Sequence, residues 1–124
     1  MADQTKVLIV EDDENMRTFL SHFIRREDMQ AITLEDGQAV KDFIANETAP
    51  DIALVDLHLP YISGFDLIQK MRSTDTWKEM PIIVISSETS GQSVEKALSM
   101  GADDYVEKPI EIDKTLARMK RFLP

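Results

Sequence analysis

The sequence predicts an α/β fold, a doubly wound parallel sheet of five strands with five helices, forming a single domain over residues 1–124. Three observations predict it. Residues 7–10, 52–55 and 82–85 are short, largely β-branched runs that are apolar at every position, as strands covered on both faces are. Between them the apolar residues recur at helical spacing. Each run also ends abruptly at a polar or charged residue. Such alternation from end to end, joined by right-handed crossovers, leaves a parallel sheet with helices on both sides.

The elements follow in order. Residues 7–10 form the first strand and end in the acids Glu11, Asp12 and Asp13; Met16, Phe19, Leu20, Phe23 and Ile24 then make one helical stripe. Residues 31–34 read as a weaker second strand, and Val40, Phe43 and Ile44 mark a short helix that Pro50 closes off. The third strand, 52–55, ends in Asp56. Leu59, Pro60 and Gly64 punctuate the loop before a helix carrying Phe65, Leu67, Ile68 and Met71. Trp77, in a polar loop before Pro81, is expected to be a packing anchor. The fourth strand, 82–85, ends in Ser86 and Ser87, and a helix with Val94, Ala97 and Leu98 stops at Gly101. A brief strand at 105–106 leads to Lys108 and Pro109. The last helix carries Ile112, Leu116 and Met119.

Composition bounds the function. A chain of 124 residues, 43% hydrophobic and 30% charged, fits one soluble domain, and the lack of cysteine excludes thiol catalysis, disulfide scaffolds and Cys-based zinc sites. The formal net charge of -9 opposes general attraction to nucleic acid or to an anionic membrane. No apolar run approaches the ~20 residues of a membrane span, and the N-terminus lacks a signal-like apolar stretch. A cytoplasmic protein with protein partners is the expectation.

In open parallel sheets, ligands bind outside the carboxyl ends of the strands. Asp12, Asp13, Asp56, Ser86 and Lys108 are thus expected to converge there. Carboxylates crowded together cannot all stay ionised without a counter-charge, and oxygen-only ligands suit Mg2+. Lys108 would supply a point charge and Ser86 a hydrogen bond to phosphoryl oxygens, leaving one carboxylate as nucleophile. Taken alone, Asp12 and Asp13 are equally read as caps of the first helix.

The ordered set Glu11-Asp12-Asp13, Asp56 within DLHLPYISG, Ser86-Ser87, Tyr105 and Lys108-Pro109 resembles the receiver domain of bacterial two-component response regulators over essentially the whole chain. The resemblance implies a flavodoxin-like sheet of order 2-1-3-4-5. It implies that Asp56 accepts the phosphoryl group, and that Asp12 and Asp13 are Mg2+ carboxylates, Asp13 the more direct, completed by Asp56 and the backbone carbonyl of His58. It further implies Ser86 as the switch hydroxyl, Tyr105 as the switch aromatic, Lys108 as the phosphate-binding lysine, and a cis bond before Pro109. His58 and Glu88, two positions after the acceptor and the switch hydroxyl, would border the path of attacking water and tune phosphoryl lifetime. The partners implied are a histidine kinase or histidine phosphotransfer protein, and a downstream protein target or a fused output domain.

Two other readings compete. A flavodoxin-like FMN carrier needs a glycine- and hydroxyl-rich phosphate loop where this chain has three acids. A phosphatase resembling the haloacid dehalogenases would need a second aspartate at position 58, where His58 stands. Within the receiver family, GADDY at 101–105 and Leu116-Ala117-Arg118 resemble regulators that dimerise through the fourth helix, fifth strand and fifth helix, but Val94 and Lys114 do not match one ion pair of that interface.

Overall fold

The computed structural model describes residues 4–88 and 90–124. Its elements alternate strictly: β1 (Lys6–Val10), α1 (Glu14–Arg26), β2 (Gln30–Leu34), α2 (Gly37–Asn46), β3 (Ile52–Asp56), α3 (Gly64–Arg72), β4 (Ile82–Ser86), α4 (Gly91–Ser99), β5 (Asp104–Glu107) and α5 (Ile112–Lys120). All pairings are parallel and the strand order is β2-β1-β3-β4-β5. The expected fold class and order are those observed.

Side chains alternate across each strand, so every central strand feeds two cores. Leu8, Val10, Ala53, Val55, Ile82 and Val84 face α2, α3 and α4, burying Val40, Ile44, Leu67, Ile68 and Met71. Val7, Ile9, Ile52, Leu54, Ile83 and Ile85 face α1 and α5, burying Leu20, Ile24, Leu116 and Met119. This two-sided burial is why residues 7–10, 52–55 and 82–85 read as unbroken apolar runs. The edge strand β2 is only partly buried, and its sequence signal is correspondingly weak.

Two stripe residues depart from expectation, since Phe19 is 37% and Leu98 46% exposed. Helical spacing marks the face, and the width of the buried stripe is set by what packs on it. Trp77 is fully buried among the α2- and α3-side residues, edge-on to Phe43, and its indole N–H donates to Glu47 O at 3.0 Å. Gly101, at φ +118°, follows the C-cap of α4, where the left-handed region favours glycine. The Lys108–Pro109 bond is cis.

Candidate functional site

The carboxyl edge of the sheet gathers the chemistry. Strand β3 is central, so its last residue, Asp56, emerges between β1 and β4 and is only 3% exposed. Its Oδ1 accepts the backbone N–H of His58 at 3.0 Å, and its Oδ2 accepts Lys108 Nζ at 3.0 Å. The chain after Asp56 folds back at once: Gly64 N–H donates to Leu57 O at 2.9 Å, and a Cβ on Gly64 would lie 2.4 Å from Asp56 O. Only glycine allows α3 to start so close to the end of β3.

Lys108 reaches back from the end of β5. Its backbone N–H donates to Ser86 O at 2.8 Å, and its Nζ also lies 2.9 Å from Glu11 Oε2. Burial alone would lower the lysine pKa, but the carboxylates of Glu11 and Asp56 at its ammonium raise it above the ordinary value, so the ammonium form is secured. Glu11 is fully buried at the end of β1. Burial, opposed by the adjacent Lys108 ammonium and reinforced by the Asp56 charge, moves its carboxyl from 4.5 to about 7. Its contact with Lys108 is an ion pair without hydrogen-bond geometry, which leaves Oε2 as the buried side-chain atom without a hydrogen bond among the described residues.

The acidic loop departs from expectation by one residue. One oxygen each of Glu11, Asp12 and Asp56 lies within 4.8 Å of the others, and this trio can hold a cation. Asp13 is not among them: its Oδ1 accepts the N–H groups of Asn15 at 2.9 Å and Met16 at 3.4 Å as the N-cap of α1. The expected Asp12–Asp13 pair is therefore corrected to Glu11–Asp12, because α1 starts at residue 14 and its free N–H groups claim the third acid. Sequence reasoning noted Glu11 in the triplet but gave it no role. The available signal was its place immediately after an all-apolar strand, where the chain is still inside the protein.

The remaining expected residues lie nearby in a second ring. Ser86 is fully buried and its Oγ accepts Glu88 N–H at 3.0 Å. The Tyr105 hydroxyl donates to Glu88 O at 2.8 Å, so the aromatic is tied to the loop after β4. His58 and Glu88 meet at the surface, with His58 Nε2 3.3 Å from Glu88 Oε2.

The donor set fits a divalent cation on chemical grounds. Three carboxylates gather with one lysine, which contacts two of them; all donors are hard oxygens, and a buried carboxylate oxygen lacks a hydrogen bond.

A parallel sheet that presents a nearly buried aspartate, a lysine and an acidic cluster at its carboxyl edge defines an α/β domain built to handle a phosphoryl group. The chain belongs to the response regulator receiver domain family, whose model matches residues 7–120, and is a phosphoacceptor domain of two-component signalling. It is 41% identical over 118 residues to the transcriptional regulatory protein PhoP of Escherichia coli strain K12, covering 95% of this chain and 52% of that protein. The chain thus spans about half the length of the curated relatives it matches. Among solved structures, the BeF3-activated receiver domain of Klebsiella pneumoniae RstA superposes with a TM-score of 0.84 at 31% identity, covering 94% of this chain and 97% of that one. The Vibrio cholerae chemotaxis regulator CheY4 superposes with a TM-score of 0.88 at 26% identity, covering 98% and 100%. Family membership sets aside the FMN-carrier and dehalogenase-type readings.

Proposed function

We propose that Asp56 accepts a phosphoryl group from a phosphohistidine on a histidine kinase or phosphotransfer protein, within a receiver domain that occupies the whole of residues 1–124. The observation that carries this reading is the near-complete burial of Asp56 between the Lys108 ammonium and the His58 N–H at the carboxyl end of a central strand. A carboxylate oxygen of Asp56 forms the new bond to phosphorus as the P–N bond of the donor breaks and the electron pair leaves on the imidazole. Lys108 is already charged and aimed, so it meets the incoming phosphoryl oxygens without reorganisation. Asp12 and Asp56, with the backbone carbonyl of His58, would hold Mg2+, and Glu11 adds a third carboxylate behind them. Bound there, the ion neutralises charge on the transferring group.

Ser86 and Tyr105 form the response. The Ser86 hydroxyl, which accepts the Glu88 N–H, turns to donate its proton to a phosphoryl oxygen, which shifts the loop holding the Tyr105 hydroxyl and biases the face made by α4, β5 and α5. That face acts on a separate protein target or on a fused output domain. The curated relatives, named as transcriptional regulatory proteins, favour an output on transcription. The net charge of -9 argues that the receiver itself does not contact nucleic acid. Among the described residues no helix is long and apolar enough to cross a membrane, and we assign the domain to the cytoplasm. The domain assists its own phosphorylation and hydrolysis, and releases no product that serves as its purpose. Labelling with acetyl phosphate tests the reading: the wild-type chain is labelled and Asp56→Asn is not, with the fold kept by circular dichroism. Undiminished labelling of Asp56→Asn would overturn the assignment.

A further inference from the structure

Arg17 makes contacts that the phosphoryl chemistry does not use. It lies on the first turns of α1, with a side chain only 18% exposed. One nitrogen, Nη1, donates to Glu11 O at 2.9 Å and to Asp12 O at 2.8 Å, while the Arg17 backbone N–H donates to Asp13 O at 3.0 Å. A single residue therefore takes three successive carbonyls of the acidic loop. Its other nitrogen, Nη2, lies 3.5 Å from Glu35 Oε2, just beyond β2.

Peptide planarity turns these contacts into side-chain direction. A carbonyl fixes its whole peptide plane, and two fixed planes flanking a Cα fix φ, ψ and the direction of Cβ. Glu11 has its N–H on Leu34 O at 3.1 Å and its C=O on Arg17, so both of its planes are held. Asp12 has both flanking planes held by the guanidinium, the second also by the Asp13 N–H donating to Glu11 Oε1 at 3.2 Å. The carbonyls turn towards Arg17, and the carboxylates of Glu11 and Asp12 turn the other way, to within 4.8 Å of Asp56.

We propose that Arg17 is a positioning residue: its planar guanidinium clamps the carbonyls of Glu11 and Asp12 and thereby aims their carboxylates at the divalent-cation site beside Asp56. This rests on the phosphoacceptor reading above. The clamp needs a fork rather than a charge, because two diverging carbonyls share one nitrogen whose N–H bonds are fixed in plane. Lysine keeps the positive charge behind the acidic cluster but not the fork.

The test compares wild type, Arg17→Lys and Arg17→Gln in the full chain. Mg2+ binding is measured by calorimetry, and initial rates of acetyl phosphate labelling are followed against Mg2+ concentration. Both variants are expected to weaken Mg2+ binding about tenfold, the usual cost of losing an outer contact that orients ligands. The Mg2+ concentration for half-maximal labelling should rise by the same factor while the saturated rate stays within about twofold of wild type. Should Arg17→Gln fail to fold, Arg17→Lys carries the test. Unchanged Mg2+ affinity, full rescue by lysine, or a fall in the saturated rate at an unchanged midpoint would each overturn the clamp. If wild type itself neither binds Mg2+ nor is labelled, it is the phosphoacceptor reading that fails.

Discussion

His58 Nε2 lies 3.3 Å from Glu88 Oε2, joining the loop after β3 to the loop after β4. The two side chains are 58% and 40% exposed, so the contact is a surface one and contributes little to stability. We propose that its interest is placement: two positions after Asp56 and Ser86, these side chains would border the path of water to an acyl phosphate on Asp56. An imidazole and a carboxylate can each orient or exchange a proton with that water. Replacing His58 with leucine is expected to lengthen the lifetime of phospho-Asp56 several-fold, on the order of 1 kcal/mol in barrier. Decay of labelled protein after donor removal, at saturating Mg2+ and across neutral pH, measures it. An unchanged decay rate would confine His58 to its backbone role.

Asp12 and Asp13 separate cleanly by their partners. Asp13→Ala removes the α1 N-cap and should destabilise the fold by about 1 kcal/mol while leaving Mg2+ affinity unchanged. Asp12→Ala should do the reverse, weakening Mg2+ binding strongly with little loss in denaturant midpoint. Urea unfolding together with calorimetry on both variants decides. Loss of Mg2+ binding in Asp13→Ala alone would restore the pairing expected from the sequence.

Glu11 makes the metal-free protein pH-sensitive. Burial first, and then the Asp56 charge, raise its carboxyl from 4.5 to about 7 against the opposing Lys108 ammonium. Between those values the folded state binds more protons than the unfolded one, so stability must fall as pH rises through the window. The contribution is fully present below about 4.5 and lost above about 7, and amounts to on the order of 3 kcal/mol. Thermal unfolding in EDTA should therefore show a midpoint that drops from pH 5.5 to pH 8, and Mg2+ should raise the midpoint more at pH 8. Glu11→Gln should flatten the EDTA profile. A profile as steep in Glu11→Gln as in wild type would assign the slope to another group.

Gly64 tests how tightly the loop is drawn against the acceptor. A Cβ there would meet Asp56 O at 2.4 Å and Leu57 Cα at 2.7 Å, both backbone atoms at the end of a buried strand. Gly64→Ala is expected to cost about 2 kcal/mol, within the range for overpacking a rigid site, and to slow labelling in the molecules that remain folded. Chemical unfolding and labelling rates report the two effects. A neutral substitution would show that the loop can move away from Asp56 without loss.

Much of this protein is legible in its sequence because the signals are local. An apolar run covered on both faces has no polar position to spare, so residues 7–10, 52–55 and 82–85 declare central strands, and the polar residue that follows each must lie at the sheet's carboxyl edge. Asp56, Ser86 and Lys108 could be placed on that edge before any coordinates. The strand order itself came from family resemblance. Tertiary structure alone decided which acids face inward. In Glu11-Asp12-Asp13 the three side chains are chemically near-equivalent, and their directions depend on where α1 begins, on Leu34 O and on the Arg17 guanidinium, none of which a periodicity can register. The same holds for His58 and Glu88, which meet only because β3 and β4 are neighbours. It holds for Phe19 and Leu98, which lie on the apolar stripes of α1 and α4 yet are 37% and 46% exposed. Local pattern determines which residues lie along a face; the direction of a side chain at a loop is set by hydrogen bonds from partners distant in sequence, and only folding brings those together.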